Sequence, residues 1–333
     1  MGIKAVTKVV RIHKPGGPEA LVIDDVELGA PGPGEVLVRI KAIGLNRAEI
    51  LFREGGYIQP PSLPAKIGYE ASGVVMATGP GVEGFAPDQR VSIIPNFQQG
   101  DYGVYGEQAI MPAHTLIPMP DEMSFEHGAS IWMQYMTAMG ILQFGKAGPG
   151  DFVVITAASS SVGIAAIQLA NWAGATSIAA TRTSAKAKAL TALGAHHVIA
   201  TGEQDLVAEV MRISGGKGAR IVFDPVGGPY VETLAQAMAD EGILFQYGGL
   251  SGQPTPWPHW AAAFKGLSLR GWVASAIWSK PHRFAKAQAL VLQGLAEGHL
   301  KPVIAKTFKL DQIADAHRYM ESNQQVGKVV VTT

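Results

Sequence analysis

The sequence predicts an α/β protein in two parts, a small β-rich domain and a doubly wound parallel sheet. Three observations carry that expectation. A chain of 333 residues suits two domains better than one. Its first third breaks short, largely alternating runs with Gly and Pro, as a barrel-like β domain does. Beyond residue 150, short apolar runs alternate with helical ones, the order expected of βαβ units.

Val36–Ala42 alternates behind the turn Pro31-Gly32-Pro33-Gly34 and reads as a strand, as do Ala71–Val75 and Arg90–Ile94. Gly32 and Gly34 feed a strand rather than a helix, so they mark a turn and not a nucleotide loop. Near Ser124 the texture changes. Ser124 as N-cap, with Glu126 in the first turn, predicts a helix running on to Leu142. Five strands follow, Phe152–Ile155, Ser177–Ala180, His197–Ile199, Arg220–Asp224 and Gly242–Tyr247. The helices between them are Val162–Trp172, Ser184–Leu193, Leu206–Ile213 and Tyr230–Met238. Such a succession makes a parallel sheet with right-handed crossovers. Helices near Pro281–Glu297 and Asp311–Ser322 and a strand Lys328–Val331 then suggest a return to the first domain. The expected division is 1–125 with 268–333, against 126–267.

Composition narrows the function. Lys+Arg and Asp+Glu both number 27, for a formal net charge of zero. Nucleic acid is therefore not expected as a partner, since a polyanion needs a basic surplus or patch. There are no cysteines, hence no disulfide, thiolate nucleophile or Cys-ligated zinc. Residues 1–6 show neither a myristoylation signal nor the apolar core of a signal peptide, and no apolar run is long enough to span a bilayer. A cytoplasmic enzyme without membrane contact is the expectation. Apolar residues make up 47% against 16% charged, enough for large cores and a subunit interface.

The strongest chemical signal is Val153–Ile155, then Thr156-Ala157-Ala158-Ser159-Ser160-Ser161-Val162-Gly163, then a helix. Tiny residues let a backbone approach a pyrophosphate, and a helix N-terminus offers N–H groups and a positive dipole end. Gly163 falls where helix and strand must pack closely. Ala and Ser occupy two positions where the dinucleotide fingerprint has Gly, so an ordinary βα turn is the competing reading. The surrounding alternation favours the cofactor. The second strand ends Thr181-Arg182, 19 residues past Gly163, where an NAD-specific fold would place an acid. Arg182 can stack on adenine or fork onto a 2′-phosphate, with Lys186 one turn further. That favours NADPH, the alternative for both residues being a solvated surface charge.

Gly44-Leu45-Asn46, Gly56-Tyr57, Gly68-Tyr69-Glu70-Ala71-Ser72-Gly73-Val74-Val75 and the Ser-rich turn together resemble the medium-chain dehydrogenase/reductase superfamily. The resemblance runs through the whole chain in order, and is strongest to the zinc-free quinone oxidoreductase branch, with kinship to enoyl-thioester reductases. It implies a GroES-like β-rich catalytic domain and a Rossmann nucleotide-binding domain. It also implies a homodimer joined through the edge strand of the nucleotide domain. Zinc members carry a Cys and a Gly-His-Glu motif; here Asn46 stands around the Cys position and Tyr69 replaces the His. His13, His114, His127, His196 and His197 have no ligand spacing, so no metal is expected. Without a Lewis acid, the easier substrate is a conjugated acceptor, in which hydride adds at carbon and charge spreads to oxygen.

By the same resemblance, Tyr57 is a proton donor or carbonyl-orienting group, or else only packs. Asn46 orients the nicotinamide ribose or the substrate, or else stabilises the turn after Gly44. Thr137 lies near the nicotinamide phosphate, or bonds its own helix. Tyr247, Gly248 and Gly249, at a strand's C-terminal end, hold the nicotinamide by main-chain groups. Val273 and Asn323 are carried over as cofactor contacts with Ser159, Ser160, Ser161, Val162, Gly163, Thr181, Arg182 and Lys186. The expected activity is NADPH-dependent reduction of a quinone or a conjugated enone or enal. The alternatives are an enoyl-thioester reductase and a non-catalytic NADPH-binding protein, structural or RNA-binding.

Overall fold

The computed structural model describes residues 6–333. Residues 1–5, on which most of the N-terminal reading rests, lie outside the described residues. The chain forms two compact units, residues up to Met133 with Pro302–Thr333, and Gln134–Lys301.

The first unit opens with β1 (Val6–Ile12), β2 (Leu21–Glu27), β3 (Glu35–Gly44), α1 (Arg47–Arg53), β4 (Ala65–Lys66) and β5 (Glu70–Thr78). It continues through β6 (Arg90–Ile93), β7 (Gln108–Pro112), β8 (Leu116–Pro118) and α2 (Phe125–Gly128). Strands β2, β1 and β4 make a small sheet. Alternate residues Val36, Val38 and Ile40 of β3 are buried, the pattern that marked it as a strand. Strand β3 pairs with β5 through two register shifts, at Leu37/Val38 and Ile40/Ala42, which bend the sheet. Gly73 lies on this seam, where a Cβ would stand 2.1 Å from the Arg39 carbonyl oxygen.

The single helix expected over 124–142 is three short ones, α2, α3 (Trp132–Ala138) and α4 (Gly140–Gln143). Gly128 and Gly140 weaken a continuous helix, and both are held in tight packing. A Cβ on Gly128 would meet the Met119 sulfur at 2.6 Å, and one on Gly140 the Trp272 ring at 2.9 Å.

The second unit then alternates β9 (Phe152–Ile155), α5 (Ser161–Trp172), β10 (Thr176–Thr181), α6 (Ala187–Ala192), β11 (His197–Ala200), α7 (Leu206–Ser214), β12 (Ala219–Asp224), α8 (Val231–Gln236) and β13 (Met238–Gln246). Helix α9 (His259–Lys265), strand β14 (Ser268–Gly271), α10 (Ser275–Trp278) and α11 (Pro281–Ala296) complete it. The six strands are parallel in the order β11-β10-β9-β12-β13-β14. Counted along the unit this is 3-2-1-4-5-6, the dinucleotide-binding topology, with its reversal between β9 and β12.

Strand β14 and helix α11 belong to this unit, so its boundaries fall at Met133/Gln134 and Lys301/Pro302. The sequence reading had them at 125/126 and 267/268. Strand β14 is a short, mostly exposed edge with no apolar period, yet its register on β13 carries residues 268–301 with the parallel sheet.

The chain returns to the first unit as β15 (Ile304–Lys309), α12 (Ile313–Glu321) and β16 (Lys328–Thr332). Strand β16 lies inside the larger sheet, parallel to β15 on one side and antiparallel to β3 on the other. No helix among the described residues is long and apolar enough to cross a membrane.

Candidate functional site

In the second unit, the turn after β9 has the build its sequence suggested. Ala157 takes a left-handed φ of 46°, which reverses the chain. Ser160 is the N-cap of α5, its hydroxyl accepting from the Gly163 N–H at 3.0 Å. A Cβ on Gly163 would stand 2.6 Å from the Ala158 carbonyl oxygen and 2.7 Å from that of Ala157, so only Gly lets α5 start this close to β9. Across the reversal of strand order, the Thr156 hydroxyl donates to the Asp224 carboxylate. The same carboxylate accepts from Val226 N–H at 3.1 Å and Gly227 N–H at 2.8 Å, fixing the loop after β12.

At the end of β10, Arg182 is exposed. The Lys186 ammonium donates to the Ser159 hydroxyl at 3.0 Å, bringing a cation onto the turn. Burial, then the nearby Arg182 charge, lowers the Lys186 pKa. The next loop, 201–203, lies against Thr181 and Arg182 through main-chain hydrogen bonds.

Beyond β13, the Tyr247 ring stacks on Phe223 with centroids 4.2 Å apart. Its hydroxyl is buried without a hydrogen-bond partner among the described residues, and burial pushes its pKa well above the usual value. The two glycines that follow differ. A Cβ on Gly248 would meet the Pro225 carbonyl oxygen at 2.7 Å, whereas Gly249 faces open space. Packing on Pro225 thus requires a Gly at 248, whereas no close contact requires one at 249. The Thr137 carbonyl accepts from the Trp272 indole N–H at 2.7 Å, tying α3 to the segment that carries half-exposed Val273.

In the first unit, Asn46 enters a buried polar cluster that sequence reasoning missed. Its amide donates to the Gly44 carbonyl at 3.0 Å and to the Glu49 carboxyl at 3.2 Å. Its Oδ1 accepts from Lys328 at 2.6 Å. Both amide hydrogens are engaged within the unit, leaving one lone pair of Oδ1. The Lys328 ammonium also donates to Glu70 at 2.6 Å, both side chains fully buried. Glu70 accepts in addition from the Met133 N–H at 3.0 Å. Glu49 accepts from the Tyr69 N–H at 3.1 Å, while its Oε2 is buried without a partner among the described residues. Burial drives the Glu49 pKa up to about 7, opposed by Lys328, by the Asn46 amide and by main-chain N–H groups.

Tyr57 is half-buried, edge-on to Tyr69 at 6.3 Å between ring centroids, and Tyr69 in turn packs on Phe97 at 5.6 Å. Burial is the main cause of a raised Tyr57 pKa. The loop bearing Tyr57 starts at Arg53, whose buried guanidinium donates to the Gly16 carbonyl at 2.9 Å and to Glu321 at 2.7 Å. Asn323, at the end of α12, accepts from Arg47 and has a left-handed φ of 57°. The structure brings Asn46 together with Glu49, Glu70 and Lys328, and Tyr57 with Tyr69. The turn residues Ser159–Gly163 gather with Lys186. Among the described residues, no group of three or more His, Asp or Glu side chains is arranged to hold a metal ion.

Comparison with known proteins gives consistent matches. Residues 32–121 match the alcohol dehydrogenase GroES-like domain and residues 193–331 the zinc-binding dehydrogenase family. A 2-haloacrylate reductase from Burkholderia sp is 33% identical, over 96% of this chain and 97% of its own length. A quinone oxidoreductase from Pseudomonas aeruginosa is 30% identical, over 95% and 96% respectively. The crystal structure of Escherichia coli quinone oxidoreductase complexed with NADPH superposes with a TM-score of 0.90 at 28% identity, covering 98% of this chain and 100% of that one.

Proposed function

Because this chain belongs to the zinc-free, quinone oxidoreductase-like branch of the medium-chain dehydrogenase/reductase superfamily, we propose that it reduces a quinone or a conjugated enone or enal with hydride from NADPH. The observation that carries the cofactor half is the cationic rim of the second unit, exposed Arg182 at the end of β10 and Lys186 bonded to the phosphate-turn hydroxyl of Ser159. The turn fits a dinucleotide. It is built of small residues, Gly163 permits the close start of α5, and the first N–H groups of a helix lack intrahelical partners.

NADPH supplies the hydride when bound. Arg182 and Lys186 would hold its 2′-phosphate, the start of α5 its pyrophosphate, and the Tyr247–Gly249 strand end its nicotinamide. Thr137, Val273 and Asn323 complete the cofactor contacts in this reading. Reduction of a conjugated acceptor places negative charge on its oxygen, and the Tyr57 hydroxyl would donate to that oxygen. A phenol whose pKa is raised by burial stays protonated at neutral pH and so remains a donor. Asn46 acts by position: Lys328 and Glu49 hold its amide in one orientation. The chain has no Cys, and Tyr69 stands where the zinc relatives have a ligand His, so the available donor set favours acceptors that need only hydrogen bonding.

A homodimer is part of the same reading. Among the described residues nothing pairs with the outer edge of β14, and neighbouring α9 exposes Trp260 at 68% and Phe264 at 83%. A cytoplasmic location completes it. The test is NADPH and NADH oxidation against quinones, enones and enoyl thioesters, with Arg182→Ala alongside. Turnover of quinones or enones, and a selective loss of NADPH over NADH in Arg182→Ala, are the expected results. Exclusive turnover of thioesters would move the enzyme to the enoyl-thioester class. Equal losses of both cofactors would remove Arg182 from 2′-phosphate binding.

A further inference from the structure

The loop after β11 brings an acid to the rim where the cofactor reading puts the 2′-phosphate. Glu203 is exposed, and its Oε1 accepts from the Ser184 N–H at 2.9 Å and from the Ser184 hydroxyl at 3.3 Å. The contact is built by the backbone. Thr201 N–H donates to the Thr181 carbonyl at 2.8 Å and Gly202 N–H to the Arg182 carbonyl at 2.9 Å, so the two segments run together. Gly202 permits this approach, since a Cβ there would stand 2.8 Å from the Arg182 carbonyl oxygen. Arg182 and Lys186 flank Ser184 in sequence, so a carboxylate sits among the donors and cations of this rim.

We propose that Glu203 is a specificity-determining residue, a built-in carboxylate competitor that limits the preference for NADPH over NADH. The proposal rests on the cofactor reading given above. A carboxylate and a 2′-phosphate are both anionic and accept hydrogen bonds, so they compete for the Ser184 N–H and hydroxyl. NADPH must therefore displace Glu203 and tolerate its charge nearby. The ribose 2′-hydroxyl of NADH is neutral and can donate to the carboxylate where it stands. Arg182 and Lys186 raise affinity for NADPH and Glu203 lowers it, which sets an intermediate preference.

Glu203 is exposed, Gln keeps an acceptor oxygen for Ser184, and Asp205, which caps α7, is left unchanged. The experiment is calorimetric titration of the full-length wild type and of Glu203→Gln with NADPH and with NADH, at low and high salt. In Glu203→Gln the Kd for NADPH is expected to fall about 3- to 10-fold at low salt, with the gain shrinking at ~0.5 M salt. The Kd for NADH is expected to stay within about twofold or to rise. A wild type that prefers NADPH, with a preference unchanged in Glu203→Gln at low salt, overturns the proposal and leaves the cofactor reading standing. A wild type that prefers NADH, with weaker NADH binding in Glu203→Gln, overturns both and makes Glu203 the ribose acceptor.

Discussion

Replacing Glu49 by Gln should stabilise the protein at pH 8 relative to pH 4.5, and the size of that change follows from the burial of one carboxyl. Glu49 is fully buried, with one oxygen engaged by Asn46 and Tyr69 and the other without a partner among the described residues. Its pKa rises from 4.5 to about 7, chiefly through burial. The folded state therefore holds the Glu49 proton more tightly than the unfolded state. This group's contribution is complete below pH 4.5 and is lost as pH rises through about 7. Integrated over that window, the loss is about 3 kcal/mol. Gln keeps an acceptor oxygen for Asn46 and Tyr69 and carries no charge at any pH. The stability of Glu49→Gln relative to wild type should thus increase by about 3 kcal/mol between pH 4.5 and pH 8. Urea unfolding followed by tryptophan fluorescence at several pH values measures it, provided the m-values of the two proteins agree. A difference that is flat with pH, or that turns toward wild type as pH rises, refutes the reasoning.

Lys328→Met leaves the Glu70 carboxylate buried without its cation and should cost about 3–5 kcal/mol in urea unfolding, part of it restored by adding Glu70→Gln; a loss under about 1 kcal/mol would mean the pair is not buried as described. Gly163→Ala places a methyl 2.6 Å from a carbonyl oxygen and should cost about 1–3 kcal/mol, with a smaller gain in melting temperature on adding NADPH than wild type shows. An unchanged melt would show that α5 can shift freely. Tyr57→Phe should lower kcat on enones by about 100-fold with little change in KM. An unchanged kcat would reduce Tyr57 to a packing residue.

The parallel sheet was legible because its strands are buried on both faces and read as apolar runs between helices. Strand β14 left no such trace, since its position comes from pairing with β13 and not from a pattern of its own. The helix expected at 124–142 breaks next to Gly128 and Gly140, which pack on Met119 and Trp272 in contacts that no local pattern announces. Gly163 was readable because close packing of helix on strand has a local signature. The Asn46 cluster was not, because its cation lies 282 residues away and a Lys at the head of an apolar strand reads as its exposed end. The clue available was Glu49 three residues past Asn46, at the start of a helix. Glu203 looks like any loop acid until the β10–β11 pairing brings it to Ser184.

Strand β16 imposes an order of assembly. It is an interior strand of the first unit's sheet, yet all of Gln134–Lys301 is synthesised between it and the other strands it must meet, apart from β15. On the ribosome the parallel-sheet unit has its whole sequence available first, while in the β-rich unit the Ala42–Gly44 end of β3, beyond its pairing with β7, awaits β16. Until β16 is made, Glu70 lacks the Lys328 ammonium it pairs with in the folded unit. Pairing of β16 with β3 therefore also brings Lys328 to Glu70 and Asn46, so one strand supplies both the last rung of the sheet and the cation of the buried cluster.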